Sequence, residues 1–211
     1  MITVIGALKG GTGKSTVSFN LAVWLKENNF EVKLFDFDPQ ATLSDVVDIR
    51  AEDGYEPELV VSTDVGALKD VEGVQTIVDV GTSDMDALKF AISKADRVVI
   101  PVPPSQADVW STQRFLKIVA DACEGGKTPE LLAFVNRADT NPAIRETIET
   151  QEALASLDGL RVVTTRLGQR TLFRRSFSEG LAVFEMDPKS KAAQEMGALA
   201  TILFSSLFFK G

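Results

Sequence analysis

The sequence predicts an α/β protein in which a doubly wound, mostly parallel sheet is flanked by helices. Short runs of β-branched and apolar residues alternate with longer segments whose apolar residues recur at helical spacing. These runs are nearly continuous, as in parallel strands that are buried on both faces. With 45% apolar and 25% charged residues among 211, the chain can bury a substantial core. We expect one domain, residues 1–211, with its sites at the carboxyl ends of the strands.

The alternation predicts six strands and seven helices in chain order. The strands are Ile2–Ala7, Val32–Phe37, Gln75–Val80, Arg97–Val102, Leu131–Asn136 and Arg161–Thr164. The helices are Lys14–Asn28, Ala41–Asp48, Asp84–Ser93, Ala107–Ala122, Asn141–Leu157, Leu172–Gly180 and Lys189–Phe209. The interval 51–70 is polar and weakly periodic, so no element is assigned to it.

The composition excludes several kinds of chemistry. The chain has no histidine, which rules out a Ser-His-Asp triad and a histidine metal site. Its single cysteine, Cys123, cannot form an internal disulfide or supply a cysteine cluster. An excess of 30 acidic over 22 basic residues disfavours indiscriminate attraction to nucleic acid or anionic lipid. We therefore expect chemistry based on carboxylates, lysines and a bound metal, in a chain that has no signal peptide or membrane span and is cytoplasmic.

A glycine-rich loop follows the first predicted strand and reads Lys9-Gly10-Gly11-Thr12-Gly13-Lys14-Ser15-Thr16. Its glycines let backbone N–H groups turn toward phosphate oxygens, and the next helix directs its positive end there. Lys14 is expected to bridge the β- and γ-phosphates and the Ser15 hydroxyl to bind Mg²⁺. The alternative is a glycine-rich turn followed by a solvated lysine, but strand, loop and helix occur in the order that a phosphate site requires.

The loop closely resembles the deviant Walker A box of the ParA/MinD family of P-loop ATPases, and the chain resembles its short ParA-type partition proteins, including McdA-type proteins that position carboxysomes. The resemblance implies ATP and Mg²⁺ as cofactors and a homodimer in the ATP state. It also implies that the first lysine, here Lys9, reaches the phosphates of the facing subunit. Two triphosphates brought face to face need such additional positive charge.

Three aspartates at predicted strand ends are candidates for the metal and the attacking water. The segment Asp36-Phe37-Asp38-Pro39-Gln40 ends the second strand, where strand alternation puts both carboxylates on one side. It resembles the D-x-D-P-Q switch motif of the family, which implies that Asp38 orients or activates water and that Asp36 supports hydrated Mg²⁺. Asp79 ends an apolar run as a Walker B aspartate does. An Asp-Pro turn and a helix cap are the structural alternatives.

The nucleobase depends on the four residues Asn136-Arg137-Ala138-Asp139. Asn136 matches the position at which the family contacts adenine. The four residues also resemble the N-K-x-D guanine motif, with Arg in place of Lys. Because the phosphate loop is of the ATPase type, we expect ATP.

Five arginines lie between residues 161 and 178 without an intervening acid, namely Arg161, Arg166, Arg170, Arg174 and Arg175. This is the strongest local excess of positive charge in the chain. The segment that follows Gly168 resembles the carboxyl-terminal ParA segment that forms part of the dimer surface and of a non-specific DNA footprint. Arginine contacts to phosphates give salt-sensitive, sequence-independent binding. The alternative is a solvated basic face that offsets nearby acids.

The resemblance implies a cycle in which the ATP dimer binds nucleoid DNA and a cargo adaptor of ParB or McdB type stimulates hydrolysis. The cargo is a plasmid, a chromosome or a protein compartment such as the carboxysome. A MinD-like ATPase that cycles on and off the membrane is the alternative, because residues 199–210 also read as an amphipathic anchor. Only Lys210 provides interfacial charge there, so we expect packing on the sheet instead. A ligase or iron-protein reductase of the same fold and a related tyrosine kinase are further alternatives; the single cysteine excludes a cluster, and the single tyrosine disfavours the kinase.

Overall fold

A seven-stranded parallel sheet forms the centre of the computed structural model, which describes residues 1–69, 71, 73–141 and 143–208. Within these residues the spatial order of the strands is β3-β2-β4-β1-β5-β6-β7, and every pair in the sheet is parallel. The strands are β1 (Ile2–Ile5), β2 (Val32–Asp36), β3 (Val61–Ser62), β4 (Gln75–Asp79), β5 (Arg97–Val102), β6 (Glu130–Val135) and β7 (Arg161–Val162). The predicted fold class is thereby confirmed.

Helices cover both faces of this sheet, and the sheet separates the core into two clusters. They are α1 (Lys14–Glu27), α2 (Thr42–Glu52), α3 (Met85–Lys94), α4 (Gln106–Ala122), α5 (Glu146–Ala155), α6 (Thr171–Ser178), α7 (Val183–Met186) and α8 (Lys191–Phe204). One cluster contains Ile5 with α1, α2 and α8, and the other contains Val4 with α3 and α4. Successive residues of β1 therefore face opposite cores, which explains why the central strands read as continuous apolar runs.

The interval 51–70, which had no predicted element, contains an edge strand and a 3-10 helix. Strand β3 has two residues, whose partners on β2 are Leu34 and Phe35. The 3-10 helix is Val65–Lys69; residue 70 lies outside the described residues. A strand this short has no detectable period in the sequence, because its position depends on pairing with β2 rather than on local preference.

The prediction of a helix over Asn141–Leu157 is wrong at its start, because α5 begins at Glu146. In the preceding turn the Asp139 carboxylate accepts from the Asn141 N–H at 2.7 Å, and the Asn141 side chain accepts from the Ala143 N–H at 3.0 Å. Such local side-chain bonds compete with the helical hydrogen bonds of the backbone. The predicted range also includes residue 142, which lies outside the described residues.

Other predicted boundaries are shifted by tertiary contacts. Strand β7 has only the residues that pair with β6 at Leu132 and Ala133, so it ends two residues before Thr164. The short helix α7 was not predicted. The last helix starts after the Ser190 cap, whose hydroxyl accepts from the Ala193 N–H at 3.1 Å. It is followed by the 3-10 turn Ser205–Leu207, and Phe209 of the predicted range lies outside the described residues.

Most of the apolar residues of α8 lie in the core, as the packing interpretation of this segment predicts, although Ile202 is 37% exposed. Leu199, Leu203 and Phe204 are buried, and the ring of Phe204 stacks on Trp24 with centroids 6.2 Å apart. Lys210, the charge on which the anchor alternative depends, lies outside the described residues. None of the helices described has the length and apolar character needed to cross a bilayer.

A buried ion pair ties the end of α2 to α7. The Arg50 side chain, 1% exposed, donates to both carboxylate oxygens of Glu185 at 2.9 and 2.7 Å. It also donates to the carbonyls of Pro57 and Gly180, each at 3.0 Å. All of its charge is therefore compensated inside the protein, which fixes the helix that follows the Asp36–Gln40 segment.

We predict that Glu185→Ala lowers the free energy of unfolding by about 3–5 kcal/mol, because it leaves a buried guanidinium unpaired. Urea unfolding with an unchanged m-value measures the loss. Arg175→Ala is the control, since it breaks the exposed i,i+4 pair with Glu179 and should cost less than about 1 kcal/mol. Equal losses of unfolding free energy in the two variants would contradict the conclusion that Arg50, through its pair with Glu185, acts as a clamp between α2 and α7.

Candidate functional site

The candidate site lies at the carboxyl ends of the central strands. Parallel pairing sets Asp79 of β4 beside Ile5 of β1 on one side and Asp36 of β2 on the other. The glycine-rich loop leaves β1 at the same edge and ends at Lys14, the first residue of α1. The sheet thus brings together the loop and two of the three predicted aspartates, which are far apart in sequence.

The loop requires glycine where it turns into α1. Gly13 caps the helix in the left-handed region, with φ of 92°, and a Cβ there would lie 2.5 Å from the amide nitrogen of Asn136. That nitrogen donates to the Thr12 carbonyl at 2.6 Å. Asn136 is buried at the end of β6. It therefore holds the loop in place, a role that the sequence did not indicate.

The two lysines of the loop have different environments. Lys14 is 8% exposed and lies close enough to Asp79 to affect its ionisation. The Lys9 side chain is 45% exposed, and its Nζ forms an ion pair of 2.9 Å with the carboxylate of Asp108. One lysine therefore faces the interior of the site, and the other lies at its mouth.

Asp79 is a fully buried carboxylate in a polar cluster. Its pKa is raised to about 7, mainly by burial and in part by the nearby Asp36 charge, while the Ser15 and Ser18 hydroxyls and Lys14 oppose the shift. Oδ1 accepts from the Ser18 hydroxyl at 3.3 Å, whereas Oδ2 has no hydrogen-bond partner among the described residues. A buried carboxylate oxygen without a donor is costly unless a cation or a ligand compensates it.

Of the carboxylates of Asp36 and Asp38, only the first belongs to a strand; a loop and not strand alternation places Asp38, which corrects the sequence argument. Strand β2 ends at Asp36, whose carboxylate accepts from the N–H groups of Ser44 and Asp38 at 2.9 and 3.0 Å. Asp38 lies beyond the strand, and its carboxylate accepts from the Gln40 N–H at 3.0 Å. A Cβ on Gly81 would lie 2.5 Å from this carboxylate. Glycine at position 81 thus allows Asp38 to reach the Asp79 strand end.

A cavity of about 310 Å³ opens beside the loop. It is bounded by the start of α1 on one side and by the segment 167–177 on the other, and its lining includes Asn136, Arg137, Gln169 and Arg174. Arg137 has a φ of 55°, which is uncommon for a residue other than glycine. Asp139, on which the guanine alternative depends, lines a different cavity with Glu146 and Thr147.

The five arginines do not form one continuous patch. Three of them are ion-paired: Arg161 with Glu130, Arg170 with Glu195 and Arg175 with Glu179. Arg161 lies at the start of the edge strand β7, three strands away from β1, from which the loop leaves. Arg166 and Arg174 form no ion pair with any described residue. Arg174 lines the cavity, whereas Arg166 does not. Arg166 is therefore the exposed arginine of the five that forms no ion pair with a described residue and lies outside the cavity.

Four residues of the site were not identified from the sequence. Ser18 and Ser44 hydrogen-bond the two buried aspartates, Gly81 makes room for Asp38, and Asp108 pairs with Lys9. Ser18 was accessible to sequence reasoning, since it follows Ser15 by one helical turn on the same face of α1. The partner of Lys9 was not, because α4 is brought to the loop only by the crossover from β5.

Comparison with known proteins agrees with this geometry. The family model of the CobQ/CobB/MinD/ParA nucleotide-binding domain matches residues 3–183. Maintenance of carboxysome distribution protein A of Halothiobacillus neapolitanus is 28% identical over 198 residues, which cover 90% of each chain. Protein ParA of Rhizobium radiobacter is 29% identical over 223 residues, covering 98% of this chain and 97% of its own.

A solved structure extends the similarity to the fold. The septum site-determining protein MinD of Pyrococcus horikoshii, complexed with Mg-ADP, superposes with a TM-score of 0.76 at 20% identity and covers 100% of this chain and 98% of its own. The family resemblance predicted from the phosphate loop is confirmed by a match that runs from β1 to the start of α7. The chain belongs to the CobQ/CobB/MinD/ParA family of P-loop nucleotide-binding proteins.

Proposed function

We propose that the protein is a ParA-type ATPase, which closes as a dimer around two ATP molecules and uses slow hydrolysis to position or segregate a cargo. The observation that carries this proposal is the different placement of the two loop lysines. Lys14 is buried beside Asp79 and serves the nucleotide of its own subunit. Lys9 is at the surface, from which it can reach the phosphates of a facing subunit.

The cavity beside the loop is the proposed site of the base and the ribose. Because a carbonyl accepts only from the amide nitrogen of Asn136, the nitrogen faces Thr12 and Oδ1 remains for a base. An acceptor at this position suits the exocyclic amino group of adenine and disfavours the O6 acceptor of guanine. ATP is therefore the proposed nucleotide.

The residues at the strand ends fit Mg²⁺. The Asp79 carboxylate is buried and lies near the Ser15 hydroxyl, and one of its oxygens has no donor in the part of the chain that the structure describes. This is the environment of a carboxylate that serves a cation. Ser15 and Asp79 would hold the ion, with Asp36 beside them and Asp38 at the edge of the site. The ion would neutralise charge on the phosphates. The Asp36 carboxylate also accepts hydrogen bonds from the N–H and the hydroxyl of Ser44, which fix the segment between β2 and α2. Its oxygens are therefore largely occupied by protein donors.

Hydrolysis requires a group that orients the attacking water, and we assign this role to Asp38. Its carboxylate is half-buried and is held by the Gln40 N–H against Gly81. Two lysines then act on the phosphates: Lys14 from the same subunit and Lys9 from the partner. These charges stabilise the negative charge of the transferring phosphoryl group.

The names of two relatives support the kind of cargo that we propose, a plasmid, a chromosome or a protein compartment. One relative is named for carboxysome distribution and another is a ParA protein. We propose that the ATP dimer binds nucleoid DNA in the cytoplasm without sequence preference and that an adaptor of ParB or McdB type triggers release. Arg166, with Arg174 at the edge of the nucleotide cavity, provides the main proposed DNA contacts. Arg161, Arg170 and Arg175 are partly neutralised by their acidic partners, so they contribute less.

DNA retention in ATP, in ADP and without nucleotide tests this function. We expect retention only in ATP, and Lys14→Ala should abolish the nucleotide dependence. Arg166→Ala should weaken DNA binding about fivefold or more at low salt, because it removes one phosphate contact from each subunit. Arg161→Ala is the matched control and should change binding by less than about twofold, since Arg161 is paired at the far edge of the sheet. Equal retention in all three nucleotide states would refute the switch.

Stability against pH tests the environment of Asp79 without any nucleotide. A buried acid with a raised pKa favours its neutral form, so its cost to the fold is small near the unfolded value of 3.8 and complete above about 7. Asp79→Asn should therefore stabilise the ligand-free chain by an amount that grows by about 2 kcal/mol between pH 5.5 and pH 8. Urea unfolding at several pH values measures the difference, with Asp121→Asn on the surface of α4 as a control. A difference that does not change with pH would contradict the burial argument.

A further inference from the structure

The ion pair between Lys9 and Asp108 is not accounted for by nucleotide binding. Asp108 lies in the first turn of α4, and its carboxylate Oδ1 is 2.9 Å from the ammonium of Lys9. In a ParA-type dimer this lysine would act on the partner's nucleotide. In the isolated subunit it is instead held by a carboxylate of its own chain.

The two partners differ in freedom of movement. The Asp108 side chain is 10% exposed, and its Oδ2 accepts from the Ser105 hydroxyl at 2.5 Å. The positive end of α4 stabilises the carboxylate further. Lys9 is 45% exposed, begins the glycine-rich loop and carries its ammonium on a flexible four-carbon side chain. The carboxylate is therefore fixed, and the lysine is the partner that can leave.

We propose that Asp108 is a positioning residue that retains Lys9 in its own subunit and thereby sets the threshold for dimer closure. The proposal rests on the function proposed above, because the competing ligand for Lys9 is the triphosphate of a second subunit. Closure exchanges an intramolecular ion pair for an intermolecular one. To displace the Asp108 carboxylate from Lys9, a ligand presented across the interface must carry more negative charge than a carboxylate.

The exchange explains how a terminal phosphate can be sensed at the interface. ATP presents a γ-phosphate to the facing lysine and ADP does not, so in ADP the Asp108 carboxylate remains the better partner. The positive end of α4 and the Ser105 hydroxyl still stabilise the Asp108 carboxylate after Lys9 has left. The free-energy cost of releasing Lys9 is therefore modest, and the exchange is reversible.

Sedimentation equilibrium in AMPPNP tests the inference. Asp108→Asn removes the charge and keeps the size of the side chain, so we expect its dimer dissociation constant to be about tenfold lower than that of the wild type, because two lysines per dimer are released from partly exposed pairs. A residue with a merely structural role would weaken the dimer instead. In the nucleotide-free chain, Lys9 of Asp108→Asn should also be acetylated by acetic anhydride about twofold faster or more, since contact with the Asp108 carboxylate shields the amine of Lys9 in the wild type.

Asp121→Asn is the matched control, because it removes the same charge from the exposed end of α4 and should change neither readout. An Asp108→Asn chain that dimerises as the wild type does, or less well, would overturn the inference and leave the proposed function intact. A wild-type chain that stays monomeric in AMPPNP would instead refute the proposed dimer. The two failures are therefore distinguishable in one experiment.

Discussion

The burial of the Asp79 carboxylate is the constraint on which the site depends. Parallel strands place it at the centre of the sheet edge, beside Asp36 and under the loop that carries Lys14. No described residue donates a hydrogen bond to one oxygen of this carboxylate, and its pKa rises to about 7. The chain therefore retains a destabilising group in its core, which is expected where a site is built for a cation and a polyanion.

The surrounding residues hold the site in shape before any ligand binds. Asn136 fixes the loop through the Thr12 carbonyl, Ser44 fixes Asp36, and Gly81 leaves room for Asp38. The Arg50 clamp extends this support to the helix that follows the switch segment. Binding then costs little rearrangement in the interior, and the parts that must move lie at the surface. Lys9 is the main example.

The sequence was sufficient for the central fold and for the position of the glycine-rich loop between β1 and α1, because both depend on local patterns. Buried parallel strands read as continuous apolar runs, and a loop rich in glycine before a helix is recognisable from its residues alone. Features that depend on tertiary pairing were not predictable. Strand β3 exists only through β2. The arginine cluster reads as one patch in sequence, but pairing with Glu130, Glu179 and Glu195 divides it. The partner of Lys9 depends on where the β5–α4 crossover passes.

Complementation between two inactive variants tests the central claim most directly, namely that each nucleotide is held by lysines from two subunits. Lys14→Ala lacks the lysine that acts within its own subunit, and Lys9→Ala lacks the lysine that acts across the dimer. When equal amounts are mixed, half of the dimers contain one intact composite site, so ATP hydrolysis should return to about one quarter of the wild-type rate. A mixture that remains as inactive as its separate components, together with wild-type hydrolysis by Lys9→Ala alone, would contradict the account.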